Sequence, residues 1–210
     1  ALTYYNKGDL DSAIEEYTKS IAAKETPVAY NNRGAAWADM GQFDKAIEDY
    51  NKAINLNPKY AAAYHNRGNA WRMKGELDKA IADFDRVIDL DPKHAGYYLR
   101  IANALIALRD FRGAIERLRQ GRSRNAFESD QHRLIASCLE GIALALSGQD
   151  ASAAEAEAKQ LHARGVRAKD WDTELMDHFL KDLNPEDFAP DAVETARRFQ
   201  EMLKSEIGNS

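Results

Sequence analysis

Two consecutive stretches of equal length decide the fold: PVAYNNRGAAWADMGQFDKAIEDYNKAINLNPKY at residues 27–60 and AAAYHNRGNAWRMKGELDKAIADFDRVIDLDPKH at residues 61–94. They are identical at 17 of 34 positions without a gap. A fixed period of this length is typical of repeat architectures, in which each repeat is one supersecondary unit that stacks on its neighbours. The rest of the chain is therefore interpreted from this repeat outward.

Each repeat is predicted to form two helices. The first helix of the second copy carries on one face, at spacing i, i+3, i+4 and i+7, Tyr64, Arg67, Gly68 and Trp71. Gly75 is expected to end this helix, because a left-handed residue is cheapest without a Cβ. Asp78 is expected to cap the second helix, which should end before Pro92. The inner face of that second helix carries Ala80, Ile81, Phe84, Val87 and Ile88.

The pattern Tyr30-x-x-Arg33-Gly34-x-x-Trp37, Ala46-x-x-x-Tyr50, Pro58 recurs as Tyr64-x-x-Arg67-Gly68-x-x-Trp71, Ala80-x-x-x-Phe84, Pro92. It resembles the tetratricopeptide repeat family, with the Trp and Tyr positions exchanged and Arg where Leu is usual. The resemblance implies an all-α fold, a right-handed α-α superhelix (solenoid) of helical hairpins with a C-terminal helical cap. Clear resemblance covers residues 1–122, in which the first repeat is truncated and the fourth is degenerate.

The remaining segments are predicted as a degenerate helical pair at residues 123–165 and capping helices at residues 166–210. The last repeat of a solenoid exposes an apolar face that needs covering. One capping helix is expected after Asp170, and a second is expected to begin at Pro190-Asp191. Their apolar positions are Trp171, Leu175, Met176, Phe179 and Leu180, then Val193, Ala196, Phe199 and Leu203. Ala1 falls inside a helix of the first repeat, so we expect the natural chain to extend upstream.

The inter-helix seam contains two arginines that need partners. Arg33 and Arg67 lie on the same faces as the aromatic residues, and a buried guanidinium requires a counter-charge. We predict ion pairs from Arg33 to Asp49 and from Arg67 to Asp83. The tryptophans of the two repeats are predicted to pack in the seam rather than to stack on a base or sugar.

Composition and motifs argue against several functions. The net charge is −5, and no apolar run approaches the roughly 20 residues that span a bilayer, so we expect no nucleic acid and no membrane partner. The histidines lack metal-binding spacing, and nucleophile-elbow, phosphate-loop and dinucleotide motifs are absent. We therefore expect no enzyme, no catalytic residue, no metal and no cofactor. The single cysteine, Cys138, is expected to be buried.

Six arginines lie between residues 109 and 124, whereas residues 170–210 are acidic. One interpretation is a site for an acidic partner or nucleic acid. The other, which we favour, is a solvated surface that the acidic cap partly complements, since no aromatic residues are interleaved for stacking.

The resemblance implies that the first helices of the repeats line a concave groove on the face opposite the core. The predicted peptide-binding residues are Asn31, Asn32, His65, Asn66, Asn69, Arg72, Leu99, Arg100, Asn103 and Ile106, with Ile135, Cys138 and Ile142 as an extension. Amide side chains both donate to and accept from an extended backbone, and Leu99 is the expected apolar anchor. Asn66 and Arg100 match two positions of the family's carboxylate clamp, but Asn31 and Gly96 replace its lysines.

These patterns predict a non-catalytic scaffold that binds a protein or peptide segment in its groove. Two alternatives remain open: a self-associating structural module that forms a homo-oligomer, and the regulatory part of a longer enzyme with an upstream catalytic domain. The sequence predicts neither the partner's identity nor the compartment.

Overall fold

The computed structural model describes residues 4–5, 8–168, 173–189 and 191–204. Within these ranges all regular structure is helical, which confirms the predicted all-α class. The helices are α1 (Leu10–Ala23), α2 (Pro27–Asp39), α3 (Phe43–Leu56), α4 (Ala61–Met73), α5 (Leu77–Leu90), α6 (Ala95–Ala107), α7 (Phe111–Ser123), α8 (Asp130–Leu146), α9 (Ser152–Ala163), α10 (Glu174–Lys181) and α11 (Ala192–Lys204). A 3-10 turn, Pro185–Asp187, lies between α10 and α11.

The chain forms two compact units, Ala1–Asp91 and Pro92–Ser210. In the first unit α2 pairs with α3 and α4 pairs with α5, while α1 contacts α2 and α3 contacts α4. In the second unit α6 pairs with α7 and α8 pairs with α9, and α10 and α11 pack against them. The predicted divisions at residues 1–122, 123–165 and 166–210 stay predictions.

The helix ends predicted from the sequence agree with the structure, except at the start of α5. Gly75 has φ 77°, the left-handed conformation predicted for it, and α5 ends at Leu90 before Asp91-Pro92. Asp78 is not the cap of α5. The helix begins at Leu77, which is buried, so Asp78 lies in the first helical turn, where its carboxylate still favours the positive end of the helix dipole.

Glycine allows close approach of the paired helices in both full repeats. A Cβ on Gly34 would lie 2.7 Å from the ring of Tyr50, and one on Gly68 would lie 2.7 Å from the ring of Phe84. Both rings are almost fully buried. A larger side chain at either glycine would therefore clash with the facing ring.

The predicted arginine–carboxylate pairs are confirmed. Arg33 Nε and Nη2 donate to the two carboxylate oxygens of Asp49 at 2.8 and 2.7 Å. Arg67 makes the same two bonds to Asp83 at 2.8 and 2.6 Å. Each guanidinium also donates to a residue of the preceding repeat, Thr18 or Asn51. Each of the two arginines therefore connects three helices through hydrogen bonds.

Both repeat tryptophans are half-buried and pack against the core formed by Ala46, Ile47, Tyr50 and Ala70, as predicted. Their rings also carry lysine ammonium groups. Lys45 Nζ lies 4.3 Å from the ring centroid of Trp37, and Lys79 Nζ lies 4.5 Å from that of Trp71. Each exposed ring face therefore gains a cation–π contact.

The last helix, α11, covers α8 in the second unit. Phe199 is 1% exposed, and a Cβ on Gly141 would lie 2.2 Å from its ring, so the ring lies directly on the backbone of α8. The predicted inner face of α11 is buried as expected. The expectations for Ala1, Asp170, Trp171 and Pro190 lie outside the described residues.

Candidate functional site

The predicted amide surface of the first unit is present on α2 and α4. Asn66 Nδ2 donates to Asn31 Oδ1 at 3.0 Å, and Asn31 Nδ2 donates to Asn32 Oδ1 at 3.3 Å. Asn31 is only 6% exposed, whereas Asn32 and Asn66 are half-buried. These bonds hold the amides of two consecutive repeats in one row with fixed orientation.

The row continues along α4. Asn69 Nδ2 lies 2.9 Å from His65 Nε2, one helical turn before it. Asn69 Oδ1 is buried and has no hydrogen-bond partner among the described residues. Arg72 is half-buried on the same face. Because an unpaired buried acceptor is costly, an arriving N–H donor would stabilise this position.

The four predicted residues of the second unit are mostly buried. Leu99 and Ile106 are 0% exposed and Asn103 is 7% exposed, while Arg100 is half-buried. Within this unit α6 contacts α7, α8 and α10. The expected exposed anchor at Leu99 is therefore covered in this structure. A binding role for these residues stays a prediction.

The proposed extension on α8 is also internal. Ile135, Cys138 and Ile142 are at most 2% exposed, because α8 contacts α6, α7, α9 and α11. They therefore belong to the core of the second unit and do not extend a surface.

A charged network in the second unit accounts for part of the arginine cluster. Arg122 Nη2 lies 3.3 Å from Glu140 and 3.1 Å from Glu157. Arg133 Nη2 lies 2.9 Å from Glu157, and Ser137 donates to Glu157 at 2.7 Å. Burial alone would raise the pKa of Glu157, but the hydrogen bonds from Ser137 and Arg133 and the charge of Arg122 outweigh it and lower the pKa.

One ion pair joins the arginine cluster to the C-terminal segment, as the favoured interpretation of a partly complemented surface expects. Arg109 lies 3.7 Å from Asp187. Three further carboxylates that pair with the cluster, Glu116, Glu140 and Glu157, come from α7, α8 and α9. Sequence reasoning missed this network because Glu140 and Glu157 belong to the degenerate pair, where no repeat pattern predicts their neighbours.

Within the described ranges no cluster of three or more His, Cys, Asp or Glu side chains is arranged to hold a metal ion. No helix found there is long and apolar enough to cross a bilayer.

Cys138 is expected to resist thiol reagents in the folded chain. It is 0% exposed, and burial raises its pKa to about 12. Since the thiolate is the reactive form, modification at mildly alkaline pH should be slower by on the order of a hundredfold or more than in urea-unfolded chain. Absorbance of a released thiol chromophore measures both rates, with Cys138→Ala as the blank. Equal rates in the folded and unfolded chain would contradict the buried placement.

Comparison with known families identifies the repeat. Two family models described as tetratricopeptide repeat match the chain, one at residues 27–60 and 61–94 and the other at residues 1–27. The chain belongs to the tetratricopeptide-repeat family. A search of curated proteins returned no match.

Solved tetratricopeptide-type structures confirm the predicted superhelical class. A crystal structure of MamA is 25% identical, with a TM-score of 0.67, over 78% of this chain and 94% of that chain. MamA from Desulfovibrio magneticus RS-1 is 16% identical, with a TM-score of 0.64, over 81% and 93%. YrrB, described as a TPR protein with an unusual peptide-binding site, is 17% identical, with a TM-score of 0.57, over 92% and 95%. The last two likenesses concern the fold alone.

The tetratricopeptide assignment supports a protein-interaction scaffold whose partners are proteins or peptides. The amide row lies on the first helices of two consecutive repeats, α2 and α4.

Proposed function

We propose that the chain is a non-catalytic scaffold that binds an extended peptide segment along the amide row of α2 and α4. The observation that carries this proposal is the hydrogen bond between Asn66 and Asn31, which joins consecutive repeats and orients their amides together. A peptide backbone alternates donors and acceptors, and an amide side chain offers both. Asn69 Oδ1, an acceptor without a partner, adds a position for a donated N–H.

The proposed ligand is bound through its backbone rather than through a terminal carboxylate. Asn31 stands where the family's clamp has a lysine, and it is buried and bonded to Asn32 and Asn66. It therefore adds no positive charge to the groove. We expect neither nucleic acid nor a membrane as the ligand, in keeping with the net charge of −5.

Substitution of two amides tests this proposal. Peptides selected against the full chain from a random phage-displayed library provide the probe, and fluorescence anisotropy gives their Kd. Asn66→Ala with Asn69→Ala should weaken binding by about 1–3 kcal/mol, because paired hydrogen bonds are lost. That is a factor of roughly 5 to 150 in Kd.

The matched control lies on the exposed face of α3. Asn55→Ala with Lys52→Ala changes the same number of side chains, and both residues are exposed. This control should leave Kd unchanged, and circular dichroism should show an intact fold for both variants. Selected peptides that bind the Asn66/Asn69 variant as tightly as the wild type would place the partner on another surface.

A further inference from the structure

The amides of the row on α2 and α4 form a hydrogen-bond chain that has a direction. Asn66 donates its Nδ2 to Asn31 Oδ1, and Asn31 in turn donates its Nδ2 to Asn32 Oδ1. Asn31 is buried and uses both ends of its amide in this chain. The two outer amides therefore keep opposite ends for a ligand. Asn66 keeps its Oδ1, an acceptor, and Asn32 keeps its Nδ2, a donor.

His65 fixes the direction of the fourth amide, that of Asn69. The two residues are four positions apart on α4, a spacing that places side chains next to each other on one face of a helix. Asn69 Nδ2 lies 2.9 Å from His65 Nε2. An amide nitrogen only donates, so His65 Nε2 accepts, and the neutral ring carries its proton on Nδ1. Asn69 therefore keeps its Oδ1 as an acceptor that His65 does not use.

The acceptor that remains on Asn69 is unsatisfied. Asn69 Oδ1 is buried and has no hydrogen-bond partner among the described residues. Turning the amide over would pair this oxygen with His65 only if Nε2 carried a proton. An incoming N–H satisfies the oxygen without any change in His65, so a ligand donor is what this position requires.

Two acceptors on α4 match one edge of an extended peptide. Asn66 and Asn69 are three residues apart on the helix, which places their Cβ atoms about 5–6 Å apart. Along one edge of an extended chain, N–H groups recur every two residues, about 6.4–6.8 Å apart. Rotation about the side-chain bonds covers this difference. Proline has no N–H, so a proline at either ligand position would leave one acceptor unpaired.

We propose that His65 is a positioning residue that gives the amide row a fixed polarity. The α4 side of the row takes backbone N–H groups from two alternate residues of an extended segment, neither of them proline, and Asn32 on α2 takes a backbone C=O. His65 acts through Asn69 and needs no contact with the ligand. The inference rests on the proposed function, because it specifies how the ligand of that same row is oriented.

The position of the proton on His65 tests the polarity without a ligand. Heteronuclear NMR of the isotope-labelled full chain distinguishes the two ring nitrogens at mildly alkaline pH, where an ordinary imidazole is neutral. Loss of signals in His65→Gln assigns them to this residue. The proton is expected on Nδ1, with Nε2 unprotonated. A proton on Nε2 would reverse the Asn69 amide and overturn the proposal.

Backbone esters test the polarity with a ligand. The probe is a peptide selected against the full chain from the phage-displayed library, with analogues in which one backbone N–H at a time is replaced by an ester oxygen. Esters at two alternate positions should each weaken binding roughly three- to tenfold, the effect of one hydrogen bond. One of these losses should disappear in Asn66→Ala and the other in Asn69→Ala.

Variants of His65 connect the second loss to the imidazole. His65→Gln supplies another acceptor and should retain the ester effect at the position that Asn69 contacts. His65→Lys supplies only donors, so the Asn69 oxygen should turn towards the ammonium group and the ester effect there should vanish, while that at Asn66 stays. Ala62→Lys, at an exposed position of α4, adds the same charge and should leave both ester effects unchanged.

The outcomes distinguish a failure of this inference from a failure of the proposed function. If Asn66→Ala with Asn69→Ala leaves Kd unchanged, the proposed function fails and the polarity fails with it. If that pair weakens binding while His65→Lys, folded by circular dichroism, keeps the ester effect at Asn69, only the role of His65 is overturned.

Discussion

Arg67→Met is expected to lower the free energy of unfolding by about 3–5 kcal/mol, because it leaves a buried carboxylate without its counter-charge. Asp83 is 4% exposed, and both of its oxygens accept from Arg67. The guanidinium also donates to Asn51, so its loss removes a contact between repeats. Urea unfolding followed by tryptophan fluorescence measures the effect, with Trp171→Phe in all variants so that only Trp37 and Trp71 of the same unit report.

Two controls distinguish the buried pair from charge in general. Arg112→Met breaks the exposed pair with Glu116 and should cost no more than about 0.5 kcal/mol. The double variant Arg67→Met/Asp83→Leu should recover most of the loss, because an apolar replacement of both partners removes the desolvation penalty. A loss below about 1 kcal/mol for the single variant would show that water solvates Asp83 after all.

The Arg–Asp pairs illustrate what the repeat made predictable. In an antiparallel hairpin of fixed length, residues 16 apart face each other across the seam, so Asp49 and Asp83 were the natural partners of Arg33 and Arg67. The same regularity predicted the ends of α4 and α5, because Gly75 and Pro92 recur 34 residues after Gly41 and Pro58.

The contact between α10 and α6 could not be predicted from the repeat pattern. The segment after residue 165 does not repeat, so no period predicts which helix buries Met176 and Leu180. The amphipathic pattern of α10 indicates that one face is buried but not which helix buries it. The structure shows that α10 contacts α6 and α11.

Predictions from short stretches of sequence were wrong for the start of α5 and missed the ion pairs of Glu140. Asp78 is a good capping residue, but the helix begins at the buried Leu77, two residues before the start that a cap at Asp78 implies. Glu140 lies between Leu139 and Gly141, two buried residues of α8. Its partners Arg119 and Arg122 come from α7, so the charge is compensated only in the folded unit.

Phe199→Ala is expected to lower the free energy of unfolding of the second unit by about 3–5 kcal/mol, because a large buried ring is lost and a cavity remains. The ring is 1% exposed and lies against Gly141, so α8 and α11 touch through backbone and ring. Urea unfolding followed by circular dichroism measures the loss. Glu201→Ala, at an exposed neighbour on α11, should change stability by no more than about 0.5 kcal/mol.

A double-mutant cycle tests whether the contact itself carries this energy. Gly141→Ala alone should destabilise the chain, because the new Cβ would lie 2.2 Å from Phe199 Cζ. In the Phe199→Ala background the same substitution should become neutral or gain about 0.5–1 kcal/mol, the usual advantage of alanine over glycine inside a helix. The two changes should therefore be strongly non-additive. Additive effects would mean that α11 is not seated on Gly141, and that the cap over α8 is held by its other apolar residues.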